Sequence, residues 1–212
     1  MGTTVRRRTN AVTEEAIAER RAEILRHTAT VIVASGVAGC SFAAVSEASG
    51  FSIGMIQHYF RTRDRLVDAC IDQRVAESEG EWRAISEQGG SPAERLSALL
   101  DYAVVGEKDF ADAWGFWLEL YAAARLDESL REKVNERLIF WHRMFHDTIS
   151  EAIDSGAAKP RRPVDELAHA LLALSDGLAM QAVNATYGMT ERRMHELLHR
   201  FAADELGIDL GA

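Results

Sequence analysis

Cysteine, proline and long apolar runs are all scarce in this chain. The two cysteines, Cys40 and Cys70, are too few for a disulfide framework. Three prolines and fifteen glycines in 212 residues, with 47% hydrophobic content, exclude a disordered or low-complexity chain. No apolar run reaches the roughly 18 residues of a membrane-spanning helix, and the N-terminus lacks the apolar core of a signal peptide. No stretch alternates apolar and polar residues as a strand does, and no internal repeat appears. A cytoplasmic, all-α globular protein of one or two domains is expected.

Catalytic signatures are also missing. There is no Ser-His-Asp spacing, nucleophile elbow, phosphate-binding loop or dinucleotide fingerprint. His142 and His146 stand one helical turn apart, but the Glu of a zinc-protease helix is absent and no third ligand is evident. No catalytic residue, cofactor or metal site is therefore expected. Cys40 and Cys70 lack an activating neighbourhood and read as small buried hydrophobes.

Charge is unevenly placed. The net charge of −9 alone argues against nucleic acid. Residues 1–65, however, carry nine arginines against six acids, a balance of +3, which leaves −12 for the remainder. A basic end on an acidic body is the asymmetry expected when one end meets phosphate. Residues 1–12, with Arg6-Arg7-Arg8, show no apolar period and read as a flexible basic arm, either solvated or lying along DNA. A long helix follows from a Thr13 cap to about Ser35, with Ile17, Ile24, Thr28, Val31 and Ile32 as its inner stripe and Gly36 as its end.

Ser41 to Leu66 then reads as two short helices meeting at Gly50. Phe42, Val45 and Ala48 line one side of the first; Ile56 and Phe60 point inward from the second. Two such helices joined by a tight glycine turn form a helix-turn-helix, whose second helix fits the DNA major groove. Gly50-Phe51-Ser52, His58-Tyr59-Phe60, Arg63 and Leu66 resemble the signature of the TetR family of transcriptional regulators. Two positions depart from the family pattern: Gln57 replaces an aromatic and Arg63 the commoner Lys. Gln57 with the following His-Tyr-Phe leans toward the branch that includes the choline/betaine-pathway repressor. The motif resemblance covers about residues 15–70; the rest of the chain is similar in helical layout and length.

The resemblance implies a helix-turn-helix domain over 13–62 and a ligand-binding and dimerisation domain over 63–212. Ser41, Tyr59 and Arg63 would grip phosphates, assisted by Ser52 and His58. Ile53, Met55 and Gln57 would meet base edges, with Gly54 admitting close approach. Phe42, Val45, Phe51, Ile56, Phe60 and Leu66 read as structural.

Beyond Thr62, a candidate cap, the periodicity predicts a helix over about 62–86 carrying Leu66, Ala69, Cys70, Gln73 and Ala76. Helices over about 92–105, 110–125, 128–155, 164–186 and 190–206 follow, and Ser91-Pro92-Ala93-Glu94 is a strong start signal. The 164–186 helix is apolar nearly all round and needs cover on two sides. With 190–206 it is assigned to a homodimer interface, the alternative being a central helix of a monomeric core. Trp114, Trp117 and Tyr121 share one helical face, and Phe140, Trp141 and Phe145 follow; they are either core or the wall of a pocket. Asp176 is the odd residue of its apolar helix, because a buried carboxylate needs a partner. The pocket reading takes Trp114, Trp117, Tyr121, His142, Phe145, Asp176 and Gln181 as ligand-binding residues, suited to an apolar or quaternary ammonium molecule. The expected protein is thus a dimeric regulator of double-stranded DNA with a palindromic operator, a repressor released by a small molecule. A regulator without a small-molecule effector, or an all-helical enzyme, remain the alternatives.

Overall fold

The computed structural model describes residues 2–106 and 109–210, with side chains from Glu14 onward. Among the described residues there are nine α-helices, one 3-10 turn and no strand. The helices are α1 (Gly2–Gly39), α2 (Phe42–Ser49), α3 (Ile53–Phe60), α4 (Arg63–Glu87), α5 (Pro92–Val105), α6 (Phe110–Ala124), α7 (Glu128–Asp154), α8 (Val164–Val183) and α9 (Glu191–Leu206). The chain divides into two compact units, one ending at Arg74 and one beginning at Val75, so the division falls inside α4.

Helix starts follow local capping chemistry. Ser41, Ser52, Ser91, Asp109, Asp127 and Thr190 each accept a backbone N–H of the turn that follows. Ser91 and Glu94 form the reciprocal capping box, with Glu94 Oε2 accepting the Ser91 N–H at 2.7 Å. Thr62 accepts the Arg65 N–H at 3.3 Å and opens α4 as expected.

Two expectations near the start of the chain are corrected. Helix α1 begins at Gly2, so the backbone expected as an arm is helical and Thr13 is an interior residue rather than a cap. No proline or further glycine interrupts the chain until Gly36, whose positive φ of 72° then breaks the helix. The side chains of Arg6, Arg7 and Arg8 lie outside the described residues. Ile17 is 49% exposed and does not join the inner stripe.

In the first unit, Ile24, Leu25, Ile32, Val45, Ile56, Phe60, Leu66 and Ile71 are buried and form the core. Ala48, placed on the same side as Phe42 and Val45, is exposed. Cys40 and Cys70 are buried as reduced thiols, and burial raises the Cys40 pKa. In the second unit α7 packs on α5, α6 and α8, and α9 on α5 and α8. Helix α8 buries Leu167, Leu171, Leu172 and Leu178 but leaves Met180 52% and Val183 39% exposed, so part of its apolar surface faces outward. Among the described residues no helix is long and apolar enough to cross a membrane.

Candidate nucleic-acid interface and effector cavity

The turn between α2 and α3 is held by its own serines. Gly50 takes the left-handed conformation (φ 74°, ψ 0°) and its N–H donates to Ser46 O, closing α2. Ser46 Oγ donates to Phe51 O at 2.6 Å, and Ser49 Oγ accepts from the Phe51 N–H at 3.2 Å. Arg20 and Arg21 of α1 lie over the rings of Phe51 and Phe60 at 4.9 and 4.5 Å, holding those aromatics inside. What remains outside on α3 is Ile53, Gly54, Met55, Gln57 and His58, all exposed, with Tyr59 half-buried beside them. Space around a Cβ built on Gly54 is open, so nothing in the fold requires glycine there. Ser41 and Ser52 are exposed, and their hydroxyl oxygens are engaged as caps.

Arg63 is the correction in this set. Its Nε donates to Cys40 O at 2.8 Å and its second guanidinium nitrogen to Val37 O, while the third pairs with Asp64 at 3.1 Å. It donates to carbonyls at the end of α1, where the helix termination leaves acceptor capacity over. Arg63 thus clasps α4 to the end of α1. Arg61 and Arg65, outside the expected set, are exposed and border a crevice with Tyr59 and Arg21. Arginines alternating around a cap residue carry no periodicity, which is why sequence reading passed over them.

The second unit encloses a cavity walled by all four tryptophans: Trp82 of α4, Trp114 and Trp117 of α6 and Trp141 of α7. The room it leaves for the centre of a water-sized molecule is about 40 Å³. Trp117 meets Trp141 edge-on at 4.9 Å, Trp82 stacks on Trp141 at 6.3 Å, and Phe145 and Tyr102 meet Trp82 edge-on at 5.2 and 5.3 Å. Trp114 Nε1 donates to Val104 O at 3.0 Å. Trp141 Nε1, by contrast, is buried without a hydrogen-bond partner. Gly106 forms part of the wall at φ 76°, where a Cβ would stand 2.3 Å from Ala113 Cβ, so only glycine lets α5 and α6 join this closely.

Asp176 of α8 supplies the cavity with a carboxyl group. Burial raises its pKa to about 7, against a smaller opposing effect of the hydrogen bond that Tyr121 donates to Oδ1 at 3.5 Å. Burial, followed by the Asp176 charge, holds the Tyr121 hydroxyl well above the ordinary phenol range. Asp176 and Leu172 also border a second, open groove lined by His142, Asp165 and His169. Of the expected ligand residues, Trp114, Trp117, Phe145 and Asp176 line the aromatic cavity. Tyr121 stands behind Asp176, His142 lies in the adjoining groove with Nε2 3.2 Å from Asp165 O, and Gln181 borders neither space. Trp82 and Tyr102 lie outside the expected set, while Trp141, expected as core or pocket wall, stands in the wall. Trp82 lies in a helix with no other aromatic, and nothing local marks it as a cavity residue.

A capped helix-turn-helix with an exposed second helix, joined to a helical body with an aromatic cavity, defines a DNA-binding transcriptional regulator. The family described as "BetI-type transcriptional repressor, C-terminal" matches residues 92–207, more than half of the chain. The HTH-type transcriptional regulator BetI of Vibrio vulnificus is 24% identical over 191 residues, spanning 88% of this chain and 92% of that protein. BetI of Paraburkholderia xenovorans is 27% identical over 165 residues, 75% of this chain and 79% of that one. A putative transcriptional regulator from Saccharomonospora viridis, solved in complex with choline, superposes with a TM-score of 0.81 at 22% identity, covering 89% of this chain and 98% of that one. The chain belongs to the TetR family of transcriptional regulators, in its BetI branch.

Proposed function

We propose that this protein is a homodimeric, cytoplasmic repressor that binds a palindromic operator and is released from it by a small quaternary ammonium ligand. The observation that carries the ligand class is the pairing of a buried carboxyl, Asp176, with four tryptophan faces around one cavity. Aromatic faces attract an alkylated ammonium, and an ionised Asp176 neutralises it. The unpartnered Trp141 Nε1–H would donate to an acceptor atom at the other end of the ligand, such as a hydroxyl oxygen. Choline, bound by the Saccharomonospora viridis protein, has both features. Its entry route is the groove of His142, Asp165 and His169, which shares Asp176 with the cavity.

In the head, Gln57, Met55 and Ile53 read base edges, Gly54 lets the backbone approach, and Ser41, Ser52, His58 and Tyr59 contact phosphate together with Arg61 and Arg65. The exposed Met180 and Val183 of α8, with Tyr187 at 94% exposure just beyond, are surface that a twofold mate covers. Such a dimer would set two α3 helices in successive major grooves, about 34–36 Å apart. Helix α4 transmits the signal, since Arg63 clasps its first turn to α1 while Ser78 and Trp82 wall the cavity. A ligand that pushes Trp82 displaces α4, and by linkage it binds the DNA-bound form more weakly.

The test is tryptophan fluorescence during titration with choline. Saturable quenching in wild type that is lost in Asp176→Asn supports the reading. Saturable binding that survives Asp176→Asn unchanged, or no binding at millimolar choline, contradicts it.

A further inference from the structure

Away from both candidate sites, α9 presents His195 and His199 one turn apart, toward Asp101 of α5. Their rings stack with centroids 4.0 Å apart. The two Nε2 atoms lie 2.7 and 2.9 Å from the same oxygen, Asp101 Oδ1. Only the first of these is an aligned hydrogen bond; His199 Nε2 is buried and finds no partner along its own bonding direction. One carboxylate oxygen is therefore approached by two imidazoles and satisfies one of them.

We propose that Asp101, His195 and His199 bind a divalent transition-metal ion of the zinc class, joining α9 to α5. The one-turn spacing on a helix directs two imidazole nitrogens to one point, and a facing carboxylate completes a three-ligand set. All three ligand atoms lie within 4.8 Å of one another. Tetrahedral coordination with bonds of about 2.1 Å separates ligands by roughly 3.4 Å. The cluster thus has to open by about half an ångström, within reach of an Asp101 side chain that is 52% exposed. Bound metal would take the lone pair of His199 Nε2, which has no aligned partner without it. Burial, and secondly the neighbouring His195, lower the pKa of His199 against the opposing effect of Asp101. An open cavity adjoins the two histidines, so that water can supply the fourth ligand. Arg200 on the same rim opposes a cation, which favours a site with an anionic ligand over one of histidines alone. The inference is independent of the effector reading, which rests on other residues.

The experiment is calorimetric titration of chelator-stripped, full-length protein with Zn²⁺ alone and with Mg²⁺ alone. The expected result is one Zn²⁺ per chain, no response to Mg²⁺, and affinity weakened by about tenfold or more in Asp101→Asn and His199→Gln. No saturable Zn²⁺ binding overturns the proposal. So does Zn²⁺ binding unchanged in both variants, which would place the ion elsewhere. Wild-type protein loaded with Co²⁺ gives a readout that needs no variant. Paramagnetic shifts on the His195 and His199 ring signals are expected, and their absence at saturation contradicts the site.

Discussion

The head and the body present their candidate binding residues in opposite ways. In the head, structure and recognition are separated by side: Ile56 and Phe60 are buried while Ile53, Met55, Gln57 and His58 are exposed on the same short helix. In the body, recognition and structure share residues, because the tryptophans and Phe145 that wall the cavity are themselves buried core. A duplex is large and rigid and must be met by an exposed convex face. A small cation is bound by enclosure, so its site cannot be cut out of the core without cost. Substitutions on the outer face of α3 should therefore change DNA binding and spare stability, whereas substitutions in the cavity should change both ligand binding and stability.

The largest expected effect tests the body. Asp176 has its pKa raised to about 7 in the folded protein, from an ordinary 3.8. Below about pH 4 the group is protonated in both states and contributes nothing. Between 4 and 7 the unfolded chain ionises first, so the native state binds more protons and stability falls as pH rises. Above 7 the cost is constant, on the order of 4 kcal/mol at most. Asp176→Asn should remove this slope and stabilise the ligand-free protein at pH 8, read by denaturant unfolding at several pH values. Choline affinity of wild type should rise over the same interval as the carboxylate ionises.

Next in size is Arg63→Ala, which strips two carbonyls at the end of α1 of a charged donor. A loss of about 2–4 kcal/mol is expected, seen as a lower unfolding midpoint of the head by hydrogen exchange. Arg63→Lys should rescue it only in part, since one ammonium cannot fork to both acceptors. Should Arg63→Ala keep full stability and lose only DNA affinity, the clasp would be wrong and the phosphate role restored.

Gln57→Ala is the clean test of the outer face. It should weaken binding to the selected operator by about 1–3 kcal/mol, leave non-specific DNA binding and the unfolding midpoint unchanged, and preserve the salt slope. The smallest effect belongs to Gly54→Ala. Open space around its Cβ predicts a gain in helix stability of up to about 1 kcal/mol, with DNA affinity lowered because the backbone is held away from the groove.

Much of the fold was legible because its signals are local. The cap at Ser91 and the breaks at Gly36 and Gly50 depend on residues within one turn, and α5 begins where Ser91 stands. The legible part of the candidate sites was likewise local: the outward residues of α3 follow from its period, and Trp114 and Trp117 from theirs. What was not legible depends on distant partners. Arg63 looks like a phosphate contact until Val37 O and Cys40 O, far back in the chain, are seen to engage it. Trp82 becomes a cavity residue only when α7 brings Trp141 and Phe145 against it. Ile17 fits the α1 stripe by spacing, yet it is exposed. Asp176 was singled out correctly as odd, but its partner Tyr121 emerges only from the packing of α6 on α8.

The central claim is that a cation enclosed in the body controls DNA binding by the head. It is tested most directly by operator release, with DNA selected from a random pool and binding followed by fluorescence anisotropy at pH 8. Choline should displace wild-type protein from this DNA and leave Asp176→Asn bound at the same concentration. Equal release of both proteins, or retention of both at saturating choline, would contradict the account.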